Sequence, residues 1–289
     1  MSSRPFAGRV AIVTGGASGI GAALGAELAR QGAVVVLADR QLELAEQVAA
    51  EIREGGGRAE AIAVDVRELA SIERVVDATR SRHGRIDLCF NNAGIAVGGE
   101  LDTYTQRDWD DVFDVNLRGV AYGIQAVYPV MIRQGSGHIV NTASMAGLVG
   151  APAEGSYGAA KHAVVGISKT LRMEAKRHGV RVSVLCPGAI RTPILTGGKF
   201  GRLNMRGLSD EKVLEMWSKL RPMSADDFAR RALRAIARNE GIIVVPGWWK
   251  AFWYLERLSP ELSAGVWSRL LERTRKEIEE AGATPVTRE

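Results

Sequence analysis

The stretch RVAIVTGGASGIG, residues 9–21, decides how this chain is read. Its first half is a short apolar run, and its second half sets Gly15, Gly19 and Gly21 just ahead of the helical AALGAELAR. Residues without a Cβ allow positive φ and let the backbone approach a pyrophosphate, whose charge is stabilised by the free N–H groups of the helix that starts there. A strand, a phosphate cradle and a helix in this order predict a dinucleotide-binding unit; the plainer reading is a Gly-rich turn without a ligand.

Working outward, AVVVLAD (33–39) ends a second apolar strand at Asp39, about eighteen residues past Gly21. A carboxylate there accepts hydrogen bonds from ribose hydroxyls and repels a 2′-phosphate, so NAD is expected over NADP. Arg40 follows and would hold a phosphate if Asp39 turned away; Asp39 also reads as a solvated strand-end charge or a helix N-cap. Apolar runs at 9–14, 33–39, 59–65, 86–91, 137–143, 180–186 and 241–245 alternate with helical stretches. They predict an α/β fold with a parallel sheet of about seven strands, buried on both faces by helices. With 46% hydrophobic residues and no linker, repeat or low-complexity segment, residues 1–247 are expected to form a single domain, with 248–289 as a helical extension packed on it or on a partner.

Tyr157 and Lys161 lie in SYGAAKHAVVGI (156–167), a helical pattern in which i and i+4 share a face. A fixed positive charge beside a phenol favours phenolate and suits it to proton transfer. Ser144, thirteen residues upstream of Tyr157, ends GHIVNTAS, an expected fifth strand, where its hydroxyl would donate to a substrate oxygen. Thr142 points to the same face two residues deeper. Asp65 ends AEAIAVD, an expected third strand, either to accept from an adenine amino group or to cap. The small residues of NNAG (91–94) let a ribose lie against a strand end, and the Asn92 amide can tie neighbouring loops. Asn116 lies in DVFDVNLRG, where a buried amide must find partners. Pro187 stops a sixth strand before a turn.

In order, TGGASGIG (14–21), Asp65, NNAG (91–94), Asn116, Ser144, Tyr157 with Lys161, and Pro187–Gly188 followed by Thr192 resemble the short-chain dehydrogenase/reductase family, NAD type, from about Arg9 to Gly247. The resemblance implies a Rossmann-type doubly wound domain that moves hydride between a nicotinamide and a carbonyl or alcohol carbon. It implies cofactor contacts from Gly15, Ser18, Gly19, Ile20 and Gly21 to the pyrophosphate, and from Asp39, Arg40, Asp65 and Val66 to the adenosine half. Asn92, Ala93, Gly94, Pro187, Gly188, Ile190 and Thr192 would then line the nicotinamide half, Thr192 holding the carboxamide. By the same resemblance, Tyr157 exchanges a proton with the substrate oxygen, Lys161 lowers the tyrosine pKa and binds the nicotinamide ribose, and Ser144 polarises the oxygen. Asn116 kinks its helix and holds a water in a relay through Lys161. Homodimers or homotetramers are expected. Two alternatives stand beside this: an NADPH-dependent keto-reductase of the same fold, and a dinucleotide-binding sensor without catalysis, against which the intact Ser144, Tyr157, Lys161 and Asn116 argue.

Two regions depart from the minimal pattern. Residues 194–224 are expected to form a substrate lid, with Gly197 and Gly198 as hinges and Leu195, Phe200, Leu203, Met205 and Met216 lining an apolar pocket. After GIIVVPG come Trp248, Trp249, Phe252, Trp253, Tyr254 and Leu255, then Ser259 as N-cap and Pro260 opening a helix. That helix carries Leu262, Val266 and Leu270 on one stripe, with Trp267, Leu271, Thr274 and Ile278 beside it. Residues 196–276 hold 16 Lys/Arg against 9 Asp/Glu, more excess charge than the whole chain's +5. The tail therefore reads as packing, as a roof over an elongated apolar site, or as peripheral membrane contact through 248–276. The last two point to a sterol, retinoid-like or long-chain lipid substrate. Nucleic acid is not expected despite a pI of about 9.4, because the aromatics lie on apolar stripes. The N-terminus lacks an apolar signal, Cys89 and Cys186 sit in strands, and four scattered His show no ligand spacing. A cytoplasmic, metal-free protein is expected.

Overall fold

Seven parallel strands form the central sheet of the computed structural model, which describes residues 4–196, 201–206, 209–280, 282 and 284–285. They are β1 (Val10–Thr14), β2 (Val34–Asp39), β3 (Arg58–Ala63), β4 (Leu88–Asn91), β5 (Gly137–Thr142), β6 (Val180–Pro187) and β7 (Ile242–Val245). Their spatial order is β7-β6-β5-β4-β1-β2-β3. Every ladder is parallel, from Val34 beside Arg58 at one edge to Val245 beside Pro187 at the other. The order reverses between β1 and β4, and that switch opens a crevice at the carboxyl ends of the strands.

Continuous apolar strands demand cover on both faces. One face is covered by α1 (Gly19–Arg30), α2 (Leu42–Glu54) and α8 (Ala225–Ala237), through Leu24, Leu28, Ala49, Phe228 and Leu233. The other is covered by α3 (Leu69–His83), α5 (Gly119–Gln134) and α6 (Gly155–Ala175), through Val75, Val127, Met131 and Leu171. Helix α4 (Gln106–Phe113) runs into α5 through a π-helical turn, Asp114–Arg118. The expected seven-strand doubly wound sheet is the observed one. Two ends differ: β3 stops at Ala63 and β5 at Thr142, so Asp65 and Ser144 sit in the turns beyond, where a side chain is not committed to a sheet face.

Beyond β6 the chain builds over the crevice. Gly201–Leu203 pairs in parallel with Ala96–Gly98, and α7 (Asp210–Ser218) starts at Ser209, whose Oγ accepts from Lys212 N. Helices α9 (Lys250–Leu258) and α10 (Pro260–Glu280) follow β7, and Ser259 caps α10 through Leu262 N at 3.4 Å. Trp249, 5% exposed, packs with Val184 and Val244, and Phe252, Trp253 and Trp267 join it. The two stripes of α10 separate: Trp267, Leu271, Thr274 and Ile278 face the crevice, while Leu262 is 64% exposed. Leu270, at 39%, does both. The expected hinges Gly197 and Gly198, with Phe200 and the Met205 side chain, lie outside the described residues.

Candidate active site

The cradle is set by steric necessity. Gly15 and Gly19 hold φ of +68° and +53°, and a Cβ on Gly21 would fall 2.0 Å from the Gly15 carbonyl oxygen. Ser18, at the N-cap of α1, makes no side-chain cap bond, and no acidic residue occupies the first turn. The opening N–H groups and the positive end of the helix are thus left for an anion, as a pyrophosphate requires. Thr14 fastens the turn to its neighbours. Its Oγ1 accepts from Asn92 N at 2.9 Å and Ala93 N at 3.1 Å, and its carbonyl accepts from Asn92 Nδ2 at 3.0 Å. Thr142 Oγ1 donates to Asn92 Oδ1, tying in the end of β5.

A cavity of about 950 Å³ runs from this cradle along the ends of the strands. At one end Asp39, 9% exposed, accepts from Ala17 N at 3.0 Å and Gln41 N at 2.9 Å. It is neither solvated nor the residue at the N-cap of α2, which is Gln41. Its carboxylate is fixed by backbone donors, facing the cavity that Arg40 and Val66 also line. Asp65 is gripped by Arg67, which donates from Nε and from its backbone N, each at 3.0 Å to Oδ1. This contact, with the more distant Arg40 cation adding its attraction, holds the Asp65 carboxyl below the usual range. The fit to a dinucleotide is therefore good at the cradle and at Asp39, while an adenine at Asp65 would meet a carboxylate already engaged by a guanidinium.

At the other end, α6 carries Tyr157 and Lys161, with the ammonium 5.4 Å from the ring centre. Lys161 is 3% exposed, and its Nζ donates to Thr142 O at 2.9 Å. Burial lowers its pKa to about 8. A chain of amides fixes the register of α6: Asn91 Nδ2 donates to Asn141 Oδ1 and Asn141 Nδ2 to Ser168 Oγ, at 2.8 and 2.9 Å. Against expectation, the phenol of Tyr157 is pushed up rather than down. Burial is the main cause and the Glu154 carboxylate adds to it, while the Ser144 hydroxyl works the other way. The lysine lies over the ring face, and its ammonium is spent partly on Thr142 O. Tyr157 is half-buried and opens on the cavity.

Ser144 is the N-cap of a short 3₁₀ turn, its Oγ accepting from Ala146 N at 3.2 Å. Asn116 is completely buried in the π-helical turn. Its Nδ2 donates to Ile95 O at 2.8 Å and its Oδ1 accepts from Ile95 N at 2.9 Å. The amide thus clamps the loop after β4, and a Cβ on Gly94 would touch both Asn116 Oδ1, at 3.3 Å, and Lys161 Nζ, at 3.6 Å. Thr192 covers Gly19, its Cγ2 3.2 Å from where a Cβ would stand. Pro187, Gly188 and Ile190 join it on the wall.

The structure adds residues that the sequence did not single out. Trp249 lies on Gly188, where a Cβ would be 2.2 Å from the indole Nε1. Its cluster of aromatics was visible in the sequence, but not its contact with a turn 61 positions away. Glu154, the residue at the N-cap of α6, lines the cavity three positions before Tyr157. Leu195, Leu203 and Met216, expected as pocket lining, do line the cavity, and Trp217, Leu220 and α10 join them. Two ion pairs hold α10 there, Arg275 Nε to Glu100 and Lys219 Nζ to Glu277, at 2.7 and 2.6 Å.

Comparison with known proteins bears on the same elements. Residues 9–198 match the family described as short chain dehydrogenase. The levodione reductase of Leifsonia aquatica is 42% identical over 193 residues, 66% of this chain and 72% of that protein. A short-chain dehydrogenase/reductase from Burkholderia phymatum, solved in complex with NAD, superposes with a TM-score of 0.79 at 33% identity, covering 89% of this chain and 96% of that one. A levodione reductase structure gives 0.76 at 33%, covering 84% and 97%.

Proposed function

The chain belongs to the short chain dehydrogenase family of oxidoreductases, and from that premise we propose that it transfers hydride between NAD(H) and an apolar secondary alcohol or ketone. One observation carries the reading: the phosphate cradle, Ser144, Tyr157 and Lys161 open on the same cavity. When bound, the nicotinamide supplies or accepts the hydride. The protein supplies geometry, proton and field. Tyr157 keeps its proton at neutral pH and can deliver it to a carbonyl oxygen as reduction proceeds. Ser144 Oγ donates to the same oxygen and steadies the charge that develops on it. Lys161, largely charged at pH 7 with a pKa of about 8, holds a positive field under the phenol ring and a donor toward the cofactor ribose. In the oxidative direction the proton acceptor is the phenolate, which a raised pKa leaves scarce at neutral pH, so alcohol oxidation is expected to need higher pH than ketone reduction.

Asp39 supports NAD, since a buried carboxylate fixed at the strand end opposes a 2′-phosphate. The NADPH reading draws on Arg40 and Arg67, both on the cavity wall. Titrating NADH and NADPH separately against the protein distinguishes them; tighter NADPH binding would overturn the NAD assignment. The apolar wall and the α10 roof support a bulky hydrophobic substrate such as a sterol, a retinoid-like molecule or a long-chain lipid. The exposed Trp248, Tyr254, Leu258 and Leu262, with the exposed Arg257 and Arg269 on α9 and α10, support contact with an anionic membrane surface, and no described helix is long and apolar enough to cross a membrane. Homodimer or homotetramer assembly follows the family habit. The decisive experiment measures reduced nicotinamide formed from a series of apolar and small polar secondary alcohols by the native protein and by Tyr157→Phe. Turnover of the apolar alcohols that falls about 10²–10⁴-fold in the variant, with NADH still bound, is expected. Equal rates in both proteins would refute the assignment.

A further inference from the structure

The cavity holds one carboxyl that neither the cradle nor the proton-transfer residues use. Glu154 immediately precedes α6, three positions before Tyr157; both side chains line the cavity, and the charge of Glu154 reaches the phenol of Tyr157. Occupying the N-cap position, it makes no side-chain cap bond, so the carboxyl does not serve the helix.

Its backbone is held firmly. Ala153 adopts φ of +62°, in the left-handed region that a residue with a Cβ rarely enters. Gly99 N donates to Ala153 O at 2.8 Å, Gly99 and Glu154 form a parallel bridge, and Gly158 N donates to Glu154 O at 2.6 Å. Local strain maintained by bonds on both sides sets where this side chain starts.

The other acids around the cavity are accounted for. Asp39 takes two backbone donors, Asp65 takes Arg67, and Glu100 and Glu277 pair with Arg275 and Lys219. Asp102 and Glu279 stand exposed to water at the rim. Glu154 is half-buried, and among the described residues its carboxyl has neither a hydrogen-bond partner nor a cation. The groups that feel its charge are the phenols of Tyr157 and Tyr104. A carboxyl that opens on the cavity with its hydrogen-bonding capacity unused by the protein is available to a ligand.

We propose that Glu154 is a second polar anchor of the substrate cavity, selecting apolar secondary alcohols and ketones that carry a further hydroxyl group close to the reacting carbon. The inference rests on the oxidoreductase reading above and deepens it. A hydroxyl suits this position because it donates to the ionised carboxyl and accepts from the protonated one. Burial pushes the group up to about 7, so both forms are present at neutral pH. The reacting oxygen is then held by Ser144 and Tyr157 and the second by Glu154, which fixes the substrate in the plane of the cavity at two points.

The test compares cyclohexanol with trans-cyclohexane-1,2-diol as substrates of the native protein, Glu154→Gln and Glu154→Leu, with NAD present. In the native protein kcat/KM favours the diol. In Glu154→Leu the diol-to-alcohol ratio falls about tenfold to a hundredfold, the worth of a hydrogen bond to a charged group, and the fall is carried by KM. Glu154→Gln, which keeps shape and hydrogen bonding, lies between. Independently of turnover, the diol raises the melting temperature of the native protein more than cyclohexanol does at matched concentration, and this difference vanishes in Glu154→Leu. An unchanged ratio in Glu154→Leu, no preference for the diol in the native protein, or equal thermal shifts with both ligands would overturn the proposal. Failure of the underlying reading looks different: the native protein and Tyr157→Phe would form equally little reduced nicotinamide from either compound.

Discussion

Replacing Asn116 by alanine tests the link between fold and site most sharply. The amide is inaccessible to solvent and brackets one residue of the neighbouring loop, at 2.8 Å to Ile95 O and 2.9 Å from Ile95 N. Truncation leaves both backbone groups of Ile95 without their partner, at a position where the lost amide is itself inaccessible to solvent. At about 1–3 kcal/mol for each orphaned group, with partial relaxation, the loss is about 2–5 kcal/mol. That is a large fraction of the ~5–15 kcal/mol by which domains are stable. For 289 residues the unfolding entropy is roughly 0.6 kcal/mol/K near the midpoint, so the melting temperature should drop by about 3–8 °C. Calorimetry with equilibrium urea unfolding reads both quantities. Turnover should also fall, because the released loop carries Gly94 against Lys161. A stability loss under ~1 kcal/mol would show that the amide does not hold this loop, and the argument for Asn116 as its clamp would fail.

Gly21→Ala places a Cβ 2.0 Å from Gly15 O, which is backbone and cannot swing aside; the turn must open, and NADH affinity measured by fluorescence titration should fall at least about tenfold, whereas unchanged affinity would disprove the cradle geometry. Glu154 has a folded pKa raised to about 7, so its contribution to stability is fully present below its unfolded value and is lost as pH rises through 7. Glu154→Gln should therefore melt higher than the native protein at pH 8 and show no such advantage at pH 4; the reverse order at pH 8 would mean that the carboxylate has a partner. Leu258 and Leu262 are 85% and 64% exposed, so replacing both by aspartate should abolish co-sedimentation with phosphatidylserine vesicles at a stability cost under about 1 kcal/mol, and native protein that ignores such vesicles would refute membrane contact.

Most of the sheet was legible because parallel strands buried on both faces leave continuous apolar runs, and because the cradle tolerates no side chain at Gly15 or Gly21. The residues around it were legible for a related reason: Thr14, Asn92 and Lys161 hold short, obligatory bonds that fix residue type. The strand ends were less so. Asp65 and Ser144 fell just beyond β3 and β5, since nothing in an apolar run says at which residue its last ladder bond is made. The electrostatic reading of Tyr157 went the wrong way because spacing along a helix reports that two side chains are neighbours, not how far both are removed from water.

What the linear chain determined by itself is the order of chemical parts: a cradle without side chains, an acid at the end of β2, and a hydroxyl, phenol and amine spaced to share one turn and one helix face. Folding alone decided the environment of those parts. It brought Trp249 onto Gly188, pinned α10 over the crevice through Glu100 and Lys219, and left Glu154 facing the cavity without a partner among the described residues. Desolvation, unlike periodicity, is a property of everything that surrounds a group in three dimensions, so proton affinities and substrate walls emerge only when distant segments meet.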